Sequence, residues 1–124
     1  MNLALDLAAF LVVAVGVAHS YLGERYILVR LFCREDLPAI FGSARFTRRT
    51  LRYAWHITAV AWLGFGAVLY LLGHGPFTRS AVGLAVGIMF LVSGLVALFA
   101  SRGKHLSWPV FLAIGALSIL ATRG

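Results

Sequence analysis

The stretch from His19 to His56 reads HSYLGERYILVRLFCREDLPAIFGSARFTRRTLRYAWH and separates two long apolar runs. It contains seven of the eleven basic residues and three of the four acidic residues of the chain. The runs on either side are almost free of charge. A connection that concentrates positive charge between apolar segments is typical of a loop that orients a membrane protein.

The overall composition indicates a small membrane protein. The chain has 124 residues, which predicts a single domain, 1–124. Hydrophobic residues make up 61% and charged residues 12%, whereas soluble domains have about half and about a quarter. An outer surface that faces lipid explains this excess. The net charge of +7 lies mostly in one connection, so we expect no nucleic-acid partner.

Four apolar runs approach the length of about 20 residues that crosses a bilayer as a helix. They cover residues 3–22, 54–73, 80–101 and 106–122. Because they are continuous rather than alternating, they favour helices over strands. The sequence therefore predicts an all-α integral membrane protein with four transmembrane helices in a small bundle.

The charge distribution predicts the orientation of these spans. With four spans, residues 23–53 and 102–105 lie on one side and contain nine Lys and Arg residues, against Arg79 and Arg123 on the other side. The positive-inside rule then places both connections in the cytoplasm and both termini outside it. We expect the inner (plasma) membrane of a bacterial-type cell.

The long connection, residues 23–53, is predicted to be a helical hairpin. Residues 24–34 contain neither Gly nor Pro and can continue the first helix, which the sequence Asp36-Leu37-Pro38 should end. Gly42-Ser43 or Thr47 can begin the second helix, since Ser and Thr are good N-caps.

His19 and His56 are the first candidate site. Each lies about three residues inside the cytoplasmic end of its span, so antiparallel helices would bring both to the same depth. Two facing histidines can ligate a haem b iron or contribute to a metal site. The alternatives are interfacial histidines that hydrogen-bond locally, or a proton-linked role.

Glu24 and Asp6 are candidate ion- or proton-linked residues, because ionisable groups in membrane segments often serve function. Ser20 and Glu24 share a helix face, and Glu24 should lie near Arg52. A structural salt bridge is the alternative there. Asp6 should pair with His74 or Arg79.

Two further groups of residues are candidates for contacts. We expect one group to bind anionic lipid headgroups or an acidic partner: Arg45, Arg48, Arg49 and Arg52. A second group forms a small-residue stripe for helix packing, within the chain or between subunits: Gly83, Gly87 and Gly94.

The length and four-span plan are similar to those of small multidrug-resistance exporters and dual-topology fluoride channels. Such exporters have a glutamate in the middle of the first span, where this chain has residues 12–16, VVAVG. The asparagines of the fluoride channels are also missing, since Asn2 is the only one here. The likeness therefore extends only to size.

No protease, nucleotide-binding or nucleophile-elbow motif is present in the sequence. We therefore expect a non-enzymatic accessory or interaction subunit that acts as a homo-oligomer or in a larger membrane complex. A haem protein using His19 and His56, and a small oligomeric transporter or channel, are the alternative hypotheses.

Overall fold

The computed structural model describes residues 2–124, which form four helices. They are α1 (Leu3–Leu31), α2 (Arg45–His74), α3 (Arg79–Ser101) and α4 (Ser107–Thr122). Within the described residues there is no β-strand, so the all-α prediction is confirmed. The first three helices are long and apolar enough to cross a membrane, whereas α4 is apolar but has only 16 residues.

The helices extend beyond the predicted spans into the hairpin. α1 continues through a π-helical segment, Gly23–Leu28, and ends at Leu31, before the predicted break. α2 begins at Arg45, whose backbone N–H donates to Ser43 Oγ at 3.3 Å. Thr47 is inside the helix and donates its hydroxyl to the Pro38 carbonyl at 2.7 Å. The first helix thus ends earlier than predicted, and the non-helical connection before α2 is longer than expected.

The four helices form an open row rather than the closed arrangement that the predicted bundle implies. α1 packs on α2, α2 on α3, and α3 on α4. Across residues 2–124, the α1 backbone does not approach α3 or α4, and the α2 backbone does not approach α4. Closure gains little in lipid, because apolar side chains are solvated by acyl chains as well as by one another.

Small residues seven apart line the contact between α1 and α2. They are Ala9, Gly16 and Gly23 on α1, and Ala59, Gly66 and Gly73 on α2. A Cβ added at Gly16 would lie 3.7 Å from the Ala59 carbonyl oxygen, which is an ordinary van der Waals distance. A seven-residue spacing keeps one seam of each helix against its neighbour.

The α3–α4 contact is closer. A Cβ added at Gly87 would lie 2.9 Å from the Gly115 carbonyl oxygen, and one added at Gly94 would lie 2.8 Å from Leu112. Gly83 faces Thr122 with no room for a Cβ. The predicted glycine stripe therefore packs within the chain, against α4.

Candidate functional site

A π-helical segment distorts α1 beside the candidate site. In Gly23–Leu28 the hydrogen bonds widen, and the Val29 N–H donates to the Glu24 carbonyl, five residues back. Gly23 lies directly against the Trp55 indole, where no Cβ would fit. The indole Nε1 donates to the His19 carbonyl at 3.0 Å. Single π-turns inside helices are frequent at functional sites, because they reorient the side chains that follow.

Ser20, Glu24, Arg52 and His56 form a polar group that we call the Glu24 cluster. Arg52 Nη2 lies 2.9 Å from Glu24 Oε1, and His56 Nε2 lies 3.0 Å from Glu24 Oε2. The second ring nitrogen of His56, Nδ1, lies 3.1 Å from Ser20 Oγ. The structure thus places Arg52 on Glu24, as predicted from the sequence, and adds His56, which was not predicted as its partner.

The Glu24 cluster opens into a groove of about 1000 Å³ between α1 and α2. The floor of the groove is apolar and includes Gly16, Ala59 and Leu63, while its polar end includes Glu24 and His56. About a third of the Glu24 side chain is exposed, 35%. None of the described residues that line the groove belongs to α3 or α4.

The Glu24 cluster contains a hydrogen bond between two ionisable side chains, Glu24 and His56. The carboxylate of Glu24 can accept a hydrogen bond from the His56 imidazole or, when protonated, donate one to it. The Arg52 guanidinium lies beside the other carboxylate oxygen, Oε1, at 2.9 Å. The arrangement can therefore hold a proton between Glu24 Oε2 and His56 Nε2 and can bind a polar group brought into the groove.

His19 lies in a different environment from His56. Its ring stacks on Trp55 at a centroid distance of 4.5 Å and lies 4.8 Å from Trp62. His19 Nε2 is buried without a hydrogen-bond partner. His19 lines a separate groove of about 510 Å³, to which His56 does not contribute.

The predicted haem or metal site therefore finds no facing pair of histidines within one chain. The depth of a side chain in the membrane follows from its position along the helix axis. The direction in which it points depends on the rotation of the helix about that axis, and adjacent residues point about 100° apart. His19 meets Trp55, while the next residue, Ser20, meets His56. In the part of the chain that the structure describes, no three or more His, Cys, Asp or Glu side chains are grouped to hold a metal ion.

Asp6 lies at the other end of the α1–α2 hairpin. Its Oδ1 is 3.4 Å from His74 Nδ1, which also faces the Tyr70 carbonyl at 3.2 Å. This is ion-pair distance without hydrogen-bond geometry, since Asp6 Oδ1 has no hydrogen-bond partner. The other predicted partner, Arg79, instead donates to the Ala121 carbonyl at 3.2 Å. Asp6 and Glu24 are about 27 Å apart along α1 and do not form one site.

The predicted arginine group divides in two. Arg52 joins Glu24, and Arg48 Nη2 donates to the Arg34 carbonyl at 3.3 Å. Arg45 and Arg49 instead line a small cavity with Lys104. Spacing along one helix could not show this division, because Lys104 comes from the distant α3–α4 turn.

No family model matches this chain, and no curated protein or solved structure is significantly similar to it. A function for this protein is therefore inferred from the geometry of its structure. The π-helical segment and the Trp55 contact were missed by sequence reasoning. The Trp55 contact could have been predicted, since Gly23 and Trp55 fall at nearly the same depth when α1 and α2 are paired antiparallel.

Proposed function

We propose that this protein is a small, non-enzymatic membrane subunit that works by associating with other membrane proteins or with copies of itself. The observation that carries this proposal is the groove between α1 and α2, into which the partly exposed Glu24 cluster opens. The outer face of this groove lacks a covering helix because the four helices form an open row.

Association in lipid supports this choice of surface. Helices in membranes associate through close packing and polar contacts rather than through apolar burial. The glycine stripe of α3 is already occupied by α4 and offers no room for another subunit. The α1–α2 groove combines small residues, such as Gly16, with charged and hydrogen-bonding groups. A partner helix with a polar side chain at that depth would complete it.

The proposed orientation places residues 23–53 and 102–105 in the cytoplasm and the termini outside, in a bacterial-type inner membrane. α4 serves as the fourth span in this arrangement. Gly83 near the start of α3 lies against Thr122 at the end of α4, so α4 extends over nearly the whole depth of α3. Its 16 residues measure about 24 Å, and local thinning of the bilayer accommodates such a helix.

The orientation can be tested on the protein's only cysteine, Cys33, which is exposed. A membrane-impermeant maleimide should label it in inside-out vesicles and leave it unlabelled in spheroplasts. In a Cys33→Ser background, Gly124→Cys should give the opposite result. Labelling of both positions from the same side would rule out four spans with this orientation.

The association can be tested through mass and crosslinking. In mild detergent we expect a complex heavier than the 13.4 kDa monomer, or a photo-crosslinked partner at Val17, which lines the groove. Val17→Trp should remove the complex by filling the groove. Leu117→Trp, on an exposed part of α4, is the matched control. A monomer without crosslinked products at Val17 would contradict the proposal.

A proton-linked transporter or channel is the second candidate, favoured by the 3.0 Å contact between Glu24 Oε2 and His56 Nε2. Flux through proteoliposomes should then fall when Glu24→Gln removes the titrating carboxyl. Glu35→Gln removes an equal charge from the hairpin connection and should leave flux unchanged. Equal flux in wild type and Glu24→Gln would exclude Glu24 from transport.

A further inference from the structure

A cavity of about 130 Å³ lies where the connection before α2, the first turn of α2 and the α3–α4 turn meet. Its lining consists of Ile40, Phe41, Ser43, Arg45, Phe46, Arg49 and Lys104. Two sequence-distant segments thus bring cationic side chains to one small space. This site is separate from the α1–α2 groove and does not depend on the association proposed above.

Several cationic side chains lie close together at this cavity, and no acidic residue among those described lines it. Besides Arg45 and Lys104 in the lining, Arg102 lies near enough to Arg49 for its charge to act on that guanidinium. Like charges at short range repel, so such a group is most stable with an anion among its members.

The carboxylates of the chain are engaged elsewhere. Asp6 lies beside His74, Glu24 beside Arg52, and Asp36 beside Arg34 at 2.7 Å. Glu35 does not line the cavity. No carboxylate of the described residues therefore lines the cavity, which leaves room there for an anion from another molecule.

One lining residue of the cavity, Phe41, and one residue of the neighbouring α3–α4 turn, Arg102, have unusual backbone conformations. Phe41 and Arg102 are the non-glycine residues with positive φ between residues 2 and 124, at 57° and 53°. Phe41 and Gly42 form a tight turn closed by the Ile40 N–H, which donates to the Ser43 carbonyl at 3.0 Å. Such conformations are costly for side-chain-bearing residues and concentrate at binding sites.

Aromatic contacts hold the two segments together. Lys104 Nζ lies 5.6 Å from the Phe41 ring centroid, and Phe41 meets the edge of Phe46 at 5.0 Å. Phe46 in turn stacks on His105 at 5.9 Å. These contacts join the two segments at the protein surface, where Phe41 and Lys104 are exposed.

We propose that this cavity binds a phosphate group, carried by a phospholipid headgroup or by a small soluble phosphate. A phosphate group has several acceptor oxygens and matches the planar donor fork of arginine. Ser43 Oγ accepts from the Arg45 backbone N–H, so its own hydrogen remains free to donate to a phosphate oxygen. The cavity volume fits one such group, with the remainder of the molecule outside.

The proposal can be tested by calorimetric titration of the full-length protein in a neutral detergent at constant ionic strength. Inorganic phosphate and dihexanoyl-phosphatidic acid serve as separate probes. Arg49→Gln and Lys104→Gln should each weaken binding about tenfold, as expected for one charged hydrogen bond. Arg30→Gln removes the same charge from α1, outside the cavity, and should change affinity less than about twofold.

The two probes distinguish the sources of the phosphate. Binding of both indicates a soluble phosphate, and binding of the phosphatidic acid alone indicates a lipid headgroup. Lys104 is exposed, so Lys104→Gln should fold, and Lys104→Arg should retain binding. The proposal is overturned if neither probe binds the wild-type protein, or if Arg30→Gln weakens binding as much as Lys104→Gln.

Discussion

The α1–α2 hairpin and the α3–α4 hairpin both pack through small residues, yet they leave different amounts of room between their backbones. At Gly16 and Gly66, an added Cβ would lie 3.5 Å or more from any neighbour across the contact. At Gly87 and Gly115 it would lie within 3.0 Å of the facing backbone oxygen. The first contact therefore has space for a methyl group at Gly16 and Gly66, although not at Gly23, and the second has none at Gly87 or Gly115.

The two hairpins also differ in the hydrogen-bond partners of their polar side chains. The α1–α2 hairpin joins side chains across the contact, as between Glu24 and His56. In α3–α4 the hydroxyls of Ser93 and Ser118 donate to carbonyls four residues earlier in their own helices, at 2.8 Å and 2.7 Å. The looser hairpin thus has hydrogen bonds between side chains of its two helices, whereas the tighter one has close backbone packing and a hydrogen bond from the Arg79 guanidinium to the Ala121 carbonyl.

The largest effect is expected from a substitution that disrupts the close contact between α3 and α4. Gly115→Val should lower the free energy of unfolding by about 2–3 kcal/mol, because the side chain must displace the Gly87 backbone and Leu91. Reversible unfolding by SDS in mixed micelles measures this change. Ala116→Val, on the exposed side of α4, should have little effect, and an equal loss in both variants would refute the close contact.

The same kind of substitution should have the opposite sign in the loose hairpin. Gly16→Ala meets only ordinary contacts, and the gain in helix propensity should raise stability by up to about 1 kcal/mol. Gly87→Ala is its matched partner and should be destabilising in the same unfolding assay. If both variants change stability alike, the difference between the two hairpins does not exist.

A smaller effect concerns the charges across α1 and α2. A double-mutant cycle with Glu24→Gln and Arg52→Gln should give a coupling energy of about 0.5–1 kcal/mol, as is usual for a partly exposed ion pair. The cycle of Glu24→Gln with Arg30→Gln provides the control. A coupling energy of zero between Glu24 and Arg52 would show that their salt bridge does not stabilise the alignment of α1 with α2.

The smallest effect lies in the connection between the two helices. The Arg34 guanidinium lowers the pKa of the Asp36 carboxyl. A carboxyl whose pKa is lower in the folded protein than in the unfolded chain stabilises the fold when the pH is above the unfolded-state pKa. This stabilisation is lost as the pH falls through the folded-state pKa. Because both side chains are mostly exposed to solvent, this contribution is too small to measure. Asp36→Asn should therefore leave the free energy of unfolding at neutral pH unchanged, and a clear loss would show a wider role for this connection.

Helix content and the polar pairing at the end of the first hairpin could be predicted from the sequence. The apolar runs showed where helices lie, the spacing of Ser20 and Glu24 placed both on one helix face, and antiparallel pairing placed Glu24 near Arg52. The directions of His19 and His56 could not be predicted, because they depend on how each helix is rotated about its axis. The Trp55 indole, packed against Gly23, occupies the side that His19 faces.

The sequence by itself determined that the chain forms long apolar helices and that charge is concentrated in one connection. It predicted four spans, and three of the helices are long and apolar enough to cross a membrane. These properties follow from local composition and from the cost of exposing the backbone to lipid. Only the tertiary structure decided that the helices form an open row, that the glycine stripe faces α4, and that Arg49 and Lys104 line one cavity. Such contacts join segments distant in the chain and depend on helix rotation and close packing, which no local pattern specifies.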